Sequence, residues 1–386
     1  MPWKETCPVT ERVKLVSAYI EGRATMSELC RHYKVSRRVA YKWVARYRSE
    51  GIEGLKDRSR APHHVPHRIG ADIVELLVAA KRAHPCWGPK KLLSWLATQH
   101  PDKSFPAVST AGDWLKKYGM VEPRSQRVRV PRFSEPFGHV SKPNDLWCTD
   151  FKGQFKTQDA QYCYPLTLSD AKSRYLLQCR GLLETGFLEV QPWFEHAFRE
   201  YGMPDAIRSD NGPPFVTKSA GGMSRLSVWW LKLGIRHERI APGHPEQNGQ
   251  HERMHLTLKQ ESTRPPGKNL ADQQRKFDIF QAEYNTERPH EALDMQVPTK
   301  HYTPSLREYP PRTPDVEYPA DYRVRQVSDS GRFRWPGRHL ILVGQPFCGE
   351  RIGCKQIDDE VWEVYFSTVL LGFIDITQID IGLIRV

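Results

Sequence analysis

The sequence predicts a multidomain chain with α-helical modules in its first third, an α/β domain with a mixed sheet in the middle, and a small β-barrel at the end. Three observations carry this. The basic excess is confined to one region: residues 1–135 hold 26 Lys and Arg against 13 Asp and Glu, leaving 31 against 32 for the remainder. From 146 to 240, short apolar or alternating runs are interleaved with segments of helical period, the texture of an α/β sheet. Beyond prolines at 304, 310, 311, 314 and 319, the chain turns to the short alternating runs RVRQV, RFRW, HLILVG, VWEVYF and LLGFIDI.

The first third reads as two helical trios. Thr10–Gly22, Thr25–Tyr33 and a helix capped by Ser36 and running to Ser49 have the short KVS link of a helix-turn-helix. On the third helix Val39, Trp43, Val44 and Tyr47 are expected to face inward. Arg37, Arg38, Tyr41, Lys42 and Arg48 then face outward, as a surface for the major groove of double-stranded DNA. After a basic linker (54–69), 71–83, 89–99 and 109–118 repeat the helical period and form a second helix-turn-helix or winged unit (70–123), with Lys90 and Lys91 as DNA contacts. The arm 124–143 carries Arg124, Arg127, Arg129 and Arg132, placed to track phosphates.

In the middle, 146–155, 162–169 and 174–180 are expected strands, 185–201 a helix, and 206–209 a strand stopped by Asp210-Asn211-Gly212. A second short strand at 235–240 is broken by Pro242-Gly243-His244-Pro245. From Gln250 a helix carries Glu252 in its first turn, near its positive end. Asp150, Asp210 and Glu252 thus arrive from three separate elements, the way a two-metal site is assembled.

The motifs WCTDF, SDNGPPF, GIRHERIAPGHPEQNGQHERMHLTLKQE and YNTERPHEAL resemble the catalytic core of DDE transposases, the group of retroviral-type integrases and bacterial insertion-sequence transposases, with the bacterial branch nearer. The resemblance covers roughly 144–299 and implies a ribonuclease H-like core at 144–300. A Pro-rich linker (301–319) and an SH3-like barrel (320–386) would follow. Carried over, the family's acids fall on Asp150, Asp210 and Glu252. The family often places about 35 residues between its last two acids, whereas 41 separate Asp210 from Glu252 and 35 separate it from Glu246. Glu252 is preferred because it opens a helix, and the extra residues fit the loop-like 218–224.

Three carboxylates favour two Mg²⁺ (or Mn²⁺) ions per site, since hard cations take oxygen ligands. Lys259, seven residues past Glu252, lies on the same helix face and is a candidate for the scissile phosphate, while Asn285, Arg288 and His290 read as residues pinning a turn. The implied function is a DNA transposase acting on terminal inverted repeats and target DNA as a homo-oligomer. The alternatives are a DNA-binding regulator with an inactive core and a structure-selective nuclease of the same fold. Eight cysteines without a CxxC pair fit reduced thiols, and no apolar run of about 18 residues is present, so a cytoplasmic bacterial protein without membrane contact is expected.

Overall fold

Thr25 and Ser36 start two of the first three helices. Thr25 and Glu28 form a capping box ahead of α2 (Met26–His32), and the Ser36 hydroxyl accepts the Val39 N–H at 3.3 Å to open α3 (Arg37–Glu50). With α1 (Pro8–Ile20) they bury Leu15, Val16, Met26, Ala40, Trp43 and Val44. The inward face of α3 is therefore built on Ala40, not on Val39, which is 39% exposed. Only a small residue at 40 lets α3 lie close on its neighbours, and the Arg12 guanidinium covers the Trp43 ring at 3.9 Å. The computed structural model describes residues 7–58, 70–121, 139–241 and 249–385. The chain divides into two units, 1–68 and 69–386.

The second unit begins with α4 (Ala71–Ala83), α5 (Pro89–Gln99) and α6 (Val108–Lys117), closed around Leu77, Trp87, Leu92, Leu96, Ala111 and Leu115. It continues into a six-stranded mixed sheet. The strands are β1 (Trp147–Phe151), β2 (Phe155–Lys156), β3 (Tyr162–Asp170), β4 (Leu176–Leu182), β5 (Ala206–Ser209) and β6 (Arg236–Arg239). The order β2-β3-β1-β5-β6, with β4 also on β3, makes the β1–β3–β4 side antiparallel and the β1–β5–β6 side parallel. The parallel connections pass through α7 (Phe187–Tyr201) and α8 (Arg225–Lys232), whose Phe194, Phe198, Trp229 and Trp230 pack on Trp147, Leu166 and Ile207. On the other face, Met254 and Leu258 of α9 (Gly249–Ser262) and Phe277 and Phe280 of α10 (Leu270–Thr286) cover Cys163, Leu176 and Cys179.

After the core come β7 (Tyr322–Gln326), β8 (Arg332–Arg334), β9 (Leu340–Leu342), β10 (Arg351–Gln356), β11 (Val361–Phe366), β12 (Val369–Asp375) and β13 (Ile384–Arg385). They form a five-stranded antiparallel sheet, β13-β12-β11-β10-β7, and a separate β8–β9 ribbon. No closed barrel is found among the described residues; the ribbon pairs with itself and reaches the end of β7 through the single bridge Val327–Phe333. What closes the apolar face is the α/β domain. Ala220, Met223 and Val228 join Val343, Phe347, Trp362 and Phe366 in one cluster, the Ala220 N–H donates to the Val343 carbonyl at 3.0 Å, and Lys232 pairs with Glu350 at 2.9 Å. The loop 218–224 is thus the seat of the C-terminal domain.

Candidate active site

The register of β1 and β5 places two acids together. Trp147 pairs with Ile207 and Cys148 with Arg208, an offset of 60 residues that, continued, sets Asp150 beside Asp210 on strands about 4.8 Å apart. Trp147 and Ile207 point into the α7–α8 core, so alternation turns Asp150 and Asp210 to the opposite face, the side of α9. Asp210 sits one residue past β5, and its Oδ1 accepts the Gly212 N–H at 3.2 Å. Partial burial raises its carboxyl pKa, against the lowering effect of that hydrogen bond.

The inward face of α9 carries His251 and His255, both buried. The Thr167 hydroxyl donates to the Asp150 carbonyl at 3.0 Å and lies 2.6 Å from His251 Nε2 and 2.7 Å from His255 Nε2. Having one proton, the hydroxyl meets both rings as an acceptor, which assigns the imidazole protons to Nε2 and the lone pairs to Nδ1. The Nδ1 of His251 then accepts from Ser169 at 3.2 Å, and that of His255 faces Asp150 Oδ2 at 3.8 Å. Both rings are neutral: burial lowers the His251 pKa to about 3, and burial with His251 and Lys152 nearby holds His255 well below its usual value.

Lys152, Lys259 and Arg264 share the neighbourhood of Asp150. Burial lowers the Lys152 pKa, Lys259 and Arg264 add to that, and Asp150 opposes it, so these four charges share one field. Lys259 is exposed at the rim. Glu252 is exposed in the first turn of α9, three residues before His255 and so on a neighbouring line of the helix. Glu246 lies outside the described residues. Among the described residues no three His, Cys, Asp or Glu side chains form a group that could hold a metal ion.

The proposed DNA contacts fall in different settings. Arg37, Arg38, Tyr41, Lys42 and Arg48 are all exposed on α3, with Arg37 bonded to the Ser27 hydroxyl at 2.7 Å. Lys90 is exposed, but Lys91 is half-buried against the core beside Arg288 and Glu261, where burial lowers its pKa to about 8. Arg124, Arg127, Arg129 and Arg132 lie outside the described residues. Lys152 and the His251–His255 pair had no distinct sequence signal; their placement depends on α9 crossing β3.

Comparison with known proteins follows these boundaries. Residues 140–245 and 233–298 match integrase core domain models, 11–63 a helix-turn-helix domain, and 39–115 a homeodomain-like domain. Residues 322–382 match the C-terminal domain of IS481 family transposases. Together with the insertion-element relative below, these matches support a DDE transposase of a bacterial insertion sequence. An uncharacterized 39.2 kDa protein of insertion element IS476 from Xanthomonas euvesicatoria is 25% identical to this chain over 284 residues, covering 72% of this chain and 71% of that one. The Gag-Pol polyprotein of baboon endogenous virus is 32% identical over 137 residues, 36% of this chain but 7% of that one. This chain likewise spans only 12% of the length of the feline endogenous virus Pol polyprotein. Among solved structures, the HTLV-2 integrase catalytic core domain in complex with magnesium aligns at 17% identity and a TM-score of 0.33, over 42% of this chain and 98% of that one. A simian T-cell lymphotropic virus intasome in complex with a PP2A regulatory subunit aligns at 18% and 0.36, over 76% and 97%.

The two aspartates fit an oxygen-ligated divalent cation, being adjacent, partly buried and on rigid strand ends. Among the described residues, Glu252 is the acid on α9 placed nearest in sequence to the ring facing Asp150.

Proposed function

We propose that this transposase binds the terminal inverted repeats of its mobile element and carries out metal-dependent cleavage of the DNA ends and their transfer into target DNA. The observation that carries the reading is the parallel β1–β5 register, which continued beyond Cys148 and Arg208 sets Asp150 of β1 beside Asp210 just past β5, in a chain that also has an exposed basic helix α3. Asp150 and Asp210 would hold Mg²⁺ or Mn²⁺, two ions per site, with Glu252 as the third acid. The chemistry supplied by bound divalent ions is activation of the attacking oxygen and stabilisation of the leaving one.

The chain's own residues do the rest. Lys152 and Lys259 place positive charge where the scissile strand's phosphate lies, which concentrates and orients that strand. Neutral His251 and His255, locked on Thr167, fix α9 against the strand that carries Asp150 and keep the surroundings of its carboxylate constant. Arg37, Arg38, Tyr41, Lys42 and Arg48 meet the terminal repeat in its major groove. One chain has one such site, so two ends and a target require a homo-oligomer on DNA in the bacterial cytoplasm.

The test is nicking of duplex DNA bearing the element's own ends, with and without Mg²⁺. Asp150→Asn and Asp210→Asn are expected to abolish nicking while binding of the same duplex persists. Undiminished nicking by either variant would defeat the reading.

A further inference from the structure

Between the core and the C-terminal domain lies a cleft of about 650 Å³ that the catalytic reading does not use. One wall comes from the segment just past Asp210 and the start of α8, the other from the β8–β9 ribbon and the chain end. Lys218, Arg225 and Arg385 supply three cations; Phe187, Pro214 and Leu342 supply apolar surface; no Asp or Glu lines it. Lys218 and Arg225 are exposed and form no ion pair among the described residues, and the Arg385 guanidinium reaches across to the Lys218 carbonyl at 2.7 Å. The cleft is built by a close seat: Gly344 holds a φ of 120°, and a Cβ there would stand 2.7 Å from the Ser219 Cβ.

We propose that this cleft takes a single unstacked nucleotide of a DNA strand that runs past the active site. The chemistry selects an anion with a flat apolar part. Three cations without a neighbouring acid attract phosphate, and a phenyl ring with proline and leucine around it suits the face of a base. Size selects one nucleotide rather than a duplex, because the volume is that of a cube about 9 Å on edge, within the range of small-ligand sites. Position favours a strand near the acids: Pro214, which lines the cleft, is four residues beyond Asp210 in the chain. The inference rests on the proposed transposase reading and adds to it a base-extruding step, in which lost stacking with neighbours is offset by contact with Phe187 and the cations.

The experiment places 2-aminopurine, which brightens when unstacked, at successive positions near the cleavage point. The full chain is added in the presence of EDTA, so the signal does not depend on cleavage. One arm carries the probe in the element's end, the other in a target duplex joined to that end. A several-fold rise at one position in either arm, lost in Arg225→Ala and in Leu342→Trp while anisotropy shows binding kept within about tenfold, supports the proposal and names the strand. No rise at any position in either arm, or a rise that survives both variants, overturns it. Nicking by the wild type with Mg²⁺ is scored separately: nicking without brightening removes the cleft assignment and leaves the transposase reading, whereas absent nicking removes that reading.

Discussion

His84 Nδ1 lies 2.7 Å from the Glu283 carboxylate, tying the second helical trio to α10 of the core across 199 residues of chain. The imidazole is almost fully buried and stacks on Trp87 at 3.9 Å, with Arg288 5.8 Å from the centre of that indole. Ser94 adds a bond to the Met295 carbonyl. The trio is therefore held on the core. We expect His84→Ala to weaken this docking by about 2 kcal/mol, since a hydrogen bond to a charged partner is lost along with a ring stack. Hydrogen exchange would show it as faster exchange in α4–α6 with the sheet unaffected; unchanged exchange would count against the docking role.

Asn285 makes a two-pronged contact: its Oδ1 accepts the Leu176 N–H at 2.8 Å and its Nδ2 donates to the Leu176 carbonyl at 2.9 Å. It serves as an extra strand residue at the start of β4. Asn285→Leu removes the partner of the Leu176 N–H, while the Leu176 carbonyl keeps the Gln281 Nε2 donor at 3.1 Å, at an expected cost of about 1–3 kcal/mol. Asn285→Asp, which keeps the acceptor, is expected to lose less. Denaturant midpoints for the two variants check the order, and equal losses would show that the paired geometry is not what matters.

How much of this was legible follows from which interactions are local. Helices announced by caps were readable because Ser36 and Thr25 bond within three residues, and Asp150 and Asp210 stood out because each ends or occupies a short strand. Choices set by distant packing were not readable. Val39 and Ala40 both continue an apolar stripe, and only contact with α1 and α2 selects Ala40. His255 reads as a solvated helix residue until β3 brings Thr167 to it, and Lys91 reads as exposed until α9 and the segment after α10 bring Glu261 and Arg288 beside it. The alternating C-terminal runs correctly indicated strands but not their closure, because an apolar face satisfied by the loop 218–224 looks in one dimension like a face satisfied by a barrel.

His290 gives the fold a pH dependence. Its Nε2 is buried without a hydrogen-bond partner among the described residues, and burial, with Lys91 and Arg288 adding to it, lowers its pKa to about 3. The unfolded chain takes up this proton near pH 6.5, the folded one only near 3. The group's contribution is thus intact above pH 6.5 and is lost as pH falls toward 3, at about 1.4 kcal/mol per pH unit. His290→Gln is expected to flatten the stability profile by that amount between pH 6 and pH 4, as read from urea midpoints. An identical slope in wild type and variant would contradict the assignment.

The choice of the third acid can be settled by two substitutions. If the six residues that lengthen the spacing between Asp210 and Glu252 beyond that for Glu246 lie in the loop 218–224, they lie where Ala220 and Met223 seat the C-terminal domain. An insertion there shifts sequence distance without moving α9. Glu252 lies three residues ahead of His255, whose Nδ1 faces Asp150 at 3.8 Å, and so sits on a neighbouring line of the helix. Glu252→Gln keeps size and helix propensity while removing the charge, and is expected to lower Mg²⁺-dependent nicking by more than about a hundredfold with DNA binding retained. Glu246→Gln is expected to stay within about threefold of wild type by the same reasoning, since no metal ligand is lost. The reverse pattern would move the third ligand to Glu246 and show that family spacing, rather than the position of the helix start, governs the site.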